Sequence, residues 1–257
     1  MMQFGRGTKA DLPALTALWH TCFGDAEADI QHFWAATFDK IQVYTAKEGK
    51  TLTAMLCVLP ATLVDEAGEG RSCGYFYAVC TAKAYRRQGI CRKLMAYAEA
   101  QCSHAYAALV PAEKELFGFY QKLGYNPCFY HDTYTVSAEK GAKISTAAPQ
   151  VYRSIRELQL YGDFLSWEEY LLPCAGTLYR IETEDGLYCA CAVKDGDTLH
   201  IRELLPDAPE AAAALAAHLH CKQARVRTVG DSELFGLCKS LKPYPLPDQA
   251  YLGLAFD

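Results

Sequence analysis

The stretch VCTAKAYRRQGICRKL, residues 79–94, concentrates residue types that bind an anion. It reads as a strand, a basic turn with one glycine and a helix start, and no Asp or Glu occurs from Lys83 to Ala98 although the chain has a net charge of -5. Its cations are Lys83, Arg86, Arg87, Arg92 and Lys93. The first N–H groups of a helix lack intrahelical partners, and the helix dipole favours negative charge there. The stretch therefore predicts a specific site for an anion such as a diphosphate, with Gly89 permitting close approach.

A second stretch, LVPAEKELFGFYQKLGY at residues 109–125, contains a tyrosine that could act as an acid. A phenol stays protonated at neutral pH and can release its proton to a departing anion. Phe119 and Tyr120 could equally be core aromatics of a helix. The order of the two stretches favours a functional interpretation for Tyr120.

The two stretches together resemble the GNAT superfamily of acyl-CoA N-acyltransferases. In that family the pattern [QR]-x-x-G-x-[GA] binds the pyrophosphate of coenzyme A, and it matches Arg86, Gly89 and Cys91, where a compact thiol replaces the small residue. The resemblance implies that acetyl-CoA is the co-substrate and that Tyr120 reprotonates the leaving thiolate. It also implies that the main chain of one strand pairs with the pantetheine amides. The implied cofactor-binding residues are Val79, Cys80, Thr81, Arg86, Arg87, Gln88, Gly89, Ile90, Cys91 and Arg92.

The elements that would position these residues alternate in the GNAT order over the first half of the chain. Strands are predicted over residues 2–6, 42–47, 51–64, 73–81, 105–110 and 128–137, and helices over 9–22, 26–38, 89–103 and 113–122. We therefore expect an α/β (α+β) fold in which helices flank a mixed central sheet.

The second half of the chain repeats part of this order. Residues 138–150 are polar and small and are predicted to be a linker between a catalytic GNAT domain at 1–140 and a second, degenerate GNAT-like lobe at 151–257. The elements predicted after it are a helical stretch at 151–171, strands at 177–183, 187–194, 198–204, 224–229 and 250–256, and helices at 208–220 and 231–241.

A short internal match supports a tandem repeat: ELFGFYQKL at 115–123 and ELFGLCKSL at 233–241, each predicted to open a helix. The match aligns Tyr120 with Cys238, and LLPDAPEA at 204–211 takes the place of the basic turn without an R-x-x-G. We expect the second lobe not to bind coenzyme A, but to shape the acceptor pocket or to form a dimer face. The plan resembles enhanced-intracellular-survival-type acetyltransferases without their sterol-carrier-like domain.

The transfer would be direct, with a neutral amine attacking the thioester, so a base is required. The candidate bases are Glu113, Glu115, Tyr75 and Tyr77, together with Asp257 because a terminal carboxylate serves in the resembling enzymes. Covalent catalysis by Cys80 or Cys91 is disfavoured, since nucleophilic cysteine needs a placed histidine. The nearest histidines, His104 and His131, could approach these thiols only through the fold.

Composition limits the setting and the partners. Residues 1–30 lack the apolar core of a signal peptide and the longest apolar stretch, 53–64, is too short to span a bilayer, so a cytoplasmic protein without membrane contact is expected. The twelve cysteines follow no disulfide framework and are expected to be reduced, and Cys189 and Cys191 to pack on a strand rather than bind a metal. The acidic balance disfavours nucleic acid.

The acceptor stays open between a small-molecule and a peptide amine, and the oligomeric state is open as well. Glu168, Glu169 and the many tyrosines could favour a cationic amine. Two other classes of function remain: a catalytically inactive coenzyme A-binding regulatory or interaction module, and a structural dimer that binds no acyl-CoA.

Overall fold

The computed structural model describes residues 1–64, 69–158, 176–247, 250–252 and 254–255. Its chain packs into two compact units. Unit 1 comprises residues 1–61, 71–126 and 237–246, and unit 2 comprises the described residues of 62–70, 127–236 and 247–257.

Unit 1 contains the first half of the chain and a returning segment. Its strands are β1 (Met2–Arg6), β2 (Gln42–Glu48), β3 (Thr51–Val64), β4 (Gly70–Thr81) and β5 (Tyr106–Leu109), and its helices are α1 (Leu12–Phe23), α2 (Glu27–Thr37), α3 (Ile90–Gln101) and α4 (Phe117–Gln121). The strands lie in sequence order, and Leu237–Ser240 at the end of β11 (Gln223–Ser240) pairs antiparallel with β5. Because β4 and β5 are parallel while β1, β2 and β3 pair antiparallel, the sheet is mixed, as predicted.

Local sequence explains how these elements begin and end. Before α1, the Thr8 N–H and hydroxyl both donate to Asp11 Oδ2 at 2.9 Å, and Gly24 ends the helix at φ +83°, a conformation that glycine adopts without strain. Gly49, at φ +59°, makes the turn between β2 and β3. The core between sheet and helices includes Leu56, Phe76, Leu94 and Tyr125. These elements match the predicted ones to within a few residues.

Unit 2 is built around a second group of strands. They are β6 (Asn126–Ser137), β7 (Lys143–Thr146), β8 (Thr177–Glu182), β9 (Leu187–Asp195), β10 (Thr198–Leu205) and the first part of β11, with helices α5 (Pro149–Leu158) and α6 (Pro209–His218). The order is β11, β10, β9, β8, β7, and β6 also pairs with β11. The alanine face of α6 packs into a core with Ile181, Leu199 and Val226.

Two sequence predictions are wrong in this half. Residues 231–241 do not form a helix, because β11 runs unbroken to Ser240 and buries Leu237 and Cys238 in its pairing with β5. The match between 115–123 and 233–241 therefore joins a helix to a strand, and Tyr120 has no structural counterpart in Cys238. Residues 138–150 are not a plain linker, since they contain β7, whose Ile144 pairs with Ile181, and the start of α5.

Some predictions fall partly outside the described residues. The helical stretch predicted at 151–171 is observed as far as Leu158, and residues 159–175 are not described. Of the strand predicted at 250–256, the described part shows a bridge from Ala250 to Phe129. The predicted GNAT-like character of the second lobe stays a prediction. Among the helices of the described ranges, none combines the length and apolarity needed to cross a membrane.

A buried carboxylate anchors α5 in unit 2. Glu203 is fully buried and accepts hydrogen bonds from the Tyr152 hydroxyl at 2.7 Å and the Tyr251 hydroxyl at 3.3 Å. Tyr152→Phe should lower the free energy of unfolding by about 1–3 kcal/mol, because it removes a hydrogen-bond donor from a buried acidic side chain. The urea midpoint measures this loss. Tyr188→Phe, which changes a tyrosine buried in another cluster of unit 2, is the control and should change stability by less than about 0.5 kcal/mol; equal losses would contradict the prediction.

Candidate functional site

The parallel strands β4 and β5 separate part of the way along β4. They pair from Cys73–Tyr75 to Tyr106–Ala108, while β4 continues to Thr81. Ala78 lies beyond the paired stretch at φ +50°, a left-handed conformation that costs a non-glycine residue about 1–3 kcal/mol. Past Tyr75, the side of β4 that faced β5 therefore has no strand partner in β5. Backbone N–H and C=O groups there can pair with amides of a ligand.

The turn after β4 forms a cradle of backbone N–H groups. Arg87 has φ +63° and Gly89 has φ +73°, and Gly89 is the N-cap of α3. The first helical bond of α3 runs from the Lys93 N–H to the Gly89 carbonyl at 3.1 Å, so the N–H groups of Ile90, Cys91 and Arg92 precede it. A Cβ at Gly89 would meet no atom within 4 Å, so the space over the cradle is open. Such geometry suits an anion.

One of the predicted cations, Arg86, is held by hydrogen bonds within the protein. The exposed Arg86 donates from Nε to the Thr81 carbonyl at 3.0 Å and from Nη2 to the Cys22 Sγ at 3.9 Å. Gln88 donates from Nε2 to the Ala84 carbonyl at 3.2 Å, and Arg87 and Arg92 are exposed. Arg86 is thus fixed against the end of β4, where its charge adds to the field of the α3 N-terminus.

Thr81 connects the strand opening to the cradle. Its Oγ1 is buried and has no hydrogen-bond partner among the described residues. Leaving a buried hydroxyl unsatisfied costs about 1–3 kcal/mol. A ligand atom that hydrogen-bonds to this hydroxyl would recover that cost. Val79 and Cys80 precede Thr81 on β4, with Val79 half-buried and Cys80 buried.

Tyr120 lies on α4 within the core of the same unit. Its ring contacts Phe119 at 5.1 Å and Tyr125 at 6.2 Å between centroids, and in the described part of the chain its hydroxyl has no hydrogen-bond partner. Burial raises the pKa of Tyr120 well above its usual range, and the neighbouring thiols of Cys91 and Cys80 raise it further. The fold thus brings Tyr120 close to the end of β4 and the first turn of α3. A phenol held protonated there can donate a proton.

Cys80 and Cys91, the two cysteines considered as nucleophiles, lie in surroundings that favour the unreactive thiol. Burial raises the pKa of Cys91 to about 11, and the contact with Cys22 together with burial raises the pKa of Cys80 well above its usual value. Both are therefore thiols at neutral pH, whereas the thiolate is the nucleophile. His104 has its pKa lowered by burial and by Lys242, and His131 belongs to unit 2, where its ring packs on Phe235.

The candidate bases have different surroundings. Tyr75 is buried and stacks on Tyr77 with ring centroids 6.0 Å apart. Glu113 and Glu115 are exposed beside the turn before α4. Asp257, Glu168 and Glu169 lie outside the described residues.

Sequence reasoning missed an aromatic cluster beside β4. Trp19 of α1 contacts Phe33 and Trp34 of α2 and Tyr77 of β4, with ring centroids 5.0, 5.3 and 5.5 Å away. The Trp19 Nε1 donates to Asp25 Oδ2 at 2.7 Å. The recurrence of aromatics on the buried faces of α1 and α2 was the available signal, but it reads equally well as core packing.

Part of the chain matches a known protein family. Residues 4–128 match the family described as an acetyltransferase (GNAT) domain. This part of the chain is therefore similar to a GNAT acetyltransferase domain, and it contains the cradle, the β4–β5 opening and Tyr120. None of the curated proteins is similar to the chain in sequence.

Solved structures share the fold over most of the chain. A GCN5-related N-acetyltransferase from Anabaena variabilis has a TM-score of 0.71 at 14% identity, with 94% of this chain and 73% of that chain covered. A GCN5-related N-acetyltransferase from Kribbella flavida has a TM-score of 0.69 at 15% identity, with 94% of this chain and 72% of that chain covered. Eis1 from Mycobacterium abscessus has a TM-score of 0.69 at 13% identity, with 94% of this chain and 74% of that chain covered. At these identities the likeness shows the fold.

Proposed function

We propose that this chain is an acetyl-CoA-dependent N-acetyltransferase that transfers an acetyl group directly to a primary amine of a small molecule or peptide. The observation that carries the proposal is that one unit holds an anion cradle at Gly89 and a protonated Tyr120, both at the end of a strand that has separated from its neighbour. The cysteines of the described chain are all free thiols, which suits the predicted cytoplasmic setting.

The residues present fit acetyl-CoA as the co-substrate. The cradle formed by Arg87, Gly89 and the first N–H groups of α3 suits the diphosphate, supported by Arg86 and Arg92. The backbone of Val79, Cys80 and Thr81 lies beyond the β4–β5 pairing and suits the pantetheine amides, while the unsatisfied Thr81 hydroxyl offers one more contact. Acetyl-CoA supplies the acetyl group already activated as a thioester.

This chain's own groups then have two tasks. Backbone N–H groups near the end of β4 stabilise charge that develops on the carbonyl oxygen. Tyr120 donates its phenolic proton to the departing sulfur.

Calorimetry with acetyl-CoA tests the proposal. We expect saturable binding at one site and much weaker binding of acetyl-pantetheine, which retains the thioester but lacks the diphosphate. Equal affinity for the two ligands would mean that the cradle is not the diphosphate site, and no binding of acetyl-CoA would refute the proposal. Release of free coenzyme A in the presence of polyamines, aminoglycosides or peptides then identifies the acceptor class.

A further inference from the structure

A cysteine outside the predicted site lies against its key arginine. Cys22, in the last turn of α1, is partly exposed. Its Sγ accepts from the Arg86 Nη2 at 3.9 Å, and as a thiol it donates to the Thr81 carbonyl at 3.8 Å. The Cys80 thiol, one residue before Thr81 on β4, also interacts with it. The thiol and the thiolate of Cys22 therefore each have partners in the fold.

The surroundings of Cys22 and Cys80 favour a thiolate at Cys22 and a protonated thiol at Cys80. The hydrogen bond from Cys80 and the guanidinium of Arg86 lower the pKa of Cys22 to about 6, against the opposing effect of burial. The same contact and burial raise the pKa of Cys80 well above its usual value. Cys80 thus stays protonated, while the Cys22 sulfur accepts from Arg86 Nη2.

We propose that Cys22 is a thiol-modification site at the edge of the Gly89 cradle, which reacts with low-molecular-weight disulfides to form a stable mixed disulfide. The Cys22 thiolate attacks one sulfur of the disulfide RSSR, the S–S bond breaks, and RS⁻ leaves and takes a proton from water. The disulfide supplies the oxidising equivalents, so no other co-reactant is needed. Cys80 does not displace the adduct, because it is buried and protonated.

The modification has a consequence for the neighbouring cradle, and this step rests on the proposed function. Arg86 loses its thiolate partner, and the added group lies beside the guanidinium and the end of β4. Bulk at this position should exclude the diphosphate of acetyl-CoA. The modified protein is therefore expected to lose acetyl-CoA binding and to regain it after reduction.

Labelling with oxidised glutathione, followed by intact mass and peptide mapping, tests the site without reference to activity. At pH 6 we expect Cys22 to react about tenfold faster than an ordinary thiol, because its larger thiolate fraction outweighs the lower nucleophilicity that accompanies a low pKa. The rate should level off above the pKa of Cys22, since the groups facing its sulfur are Arg86, Cys80 and the Thr81 carbonyl.

Matched variants make the result decisive. Wild type and Cys102→Ser, which removes another partly exposed thiol, should each gain one adduct at Cys22, whereas Cys22→Ser should gain none there. Arg86→Gln should slow labelling at pH 6. An adduct mapped to another cysteine, or a Cys22 rate equal to that of denatured protein at pH 6, would overturn the proposal.

A second measurement separates this proposal from the proposed function. Calorimetry should detect acetyl-CoA binding by the reduced protein and none by the modified protein. If the reduced protein binds no acetyl-CoA but labels rapidly at Cys22, the proposed function fails and the modification site stands. If the modified protein binds acetyl-CoA normally, the coupling to the cradle is wrong.

Discussion

Tyr120→Phe should lower acetyl transfer by about 10²–10⁴-fold, the usual contribution of a general acid, while leaving acetyl-CoA affinity unchanged. The substitution removes one oxygen from a buried ring and keeps the contacts with Phe119 and Tyr125. The hydroxyl has no hydrogen-bond partner in the described residues, so its removal leaves no protein group unsatisfied. Steady-state kinetics and calorimetry on the same preparation check both parts of this expectation.

The pH dependence of the wild type provides a second check on Tyr120. Burial and the thiols of Cys91 and Cys80 raise its pKa, and the protonated form is the active one. Activity due to this group is therefore fully present at neutral pH and is lost only as the pH rises through the raised pKa. The pH–rate profile should show no decline from Tyr120 below about pH 10, the usual value for tyrosine.

Tyr125→Phe is the matched control for Tyr120→Phe. It also removes a buried hydroxyl, one that donates to Glu99 Oε1 at 3.0 Å, so it should cost stability without loss of turnover. Equal turnover losses in the two variants would indicate packing rather than proton donation. Unchanged turnover in Tyr120→Phe would assign the proton to another group. A regulatory module that binds coenzyme A without chemistry would keep its output in both variants.

Gly89→Asp should weaken acetyl-CoA binding by at least about 100-fold. The new carboxylate would stand at the N-cap of α3, in the open space where the diphosphate is proposed to bind, and two like charges at about 4 Å repel by several kcal/mol near a protein surface. Calorimetry with acetyl-CoA measures the change.

Backbone strain must be separated from charge in this variant. Gly49→Asp is the control, because Gly49 has φ +59° and open space around its Cβ position, yet it lies in the β2–β3 turn. It should carry a similar strain and bind acetyl-CoA normally. If both variants lose binding, destabilisation rather than repulsion is responsible, and if Gly89→Asp binds normally, the diphosphate lies elsewhere.

The first half of the fold could be predicted because local signals agree there. Thr8 lies just before the first helix and Gly49 makes the hairpin turn, and both are local sequence signals, as is the acid-free run from Lys83 that predicts an anion site. Each of these signals acts within a few residues. Propensity, pattern and turn chemistry point to one answer in this region.

The features that could not be predicted depend on distant contacts. Residues 233–241 resemble a helical segment locally, but pairing of Leu237 with Leu109 makes them a strand. The left-handed Ala78 carries no marker, since alanine is an ordinary strand residue and only the surrounding sheet imposes its conformation. Cys22 is many residues from Arg86 along the chain, so their contact follows from how α1 packs near the end of β4.

The returning end of β11 also determines when unit 1 can be completed during synthesis. The cradle and Tyr120 lie before residue 126, yet the sheet of unit 1 includes Leu237–Ser240, and the fully buried Leu237 belongs to its core. Domains usually fold in order from the N-terminus as they emerge from the ribosome. Here β5 cannot pair with the end of β11 until the chain has been synthesised as far as Ser240. All the proposed cofactor-binding residues are therefore synthesised before the sheet of unit 1 can be completed.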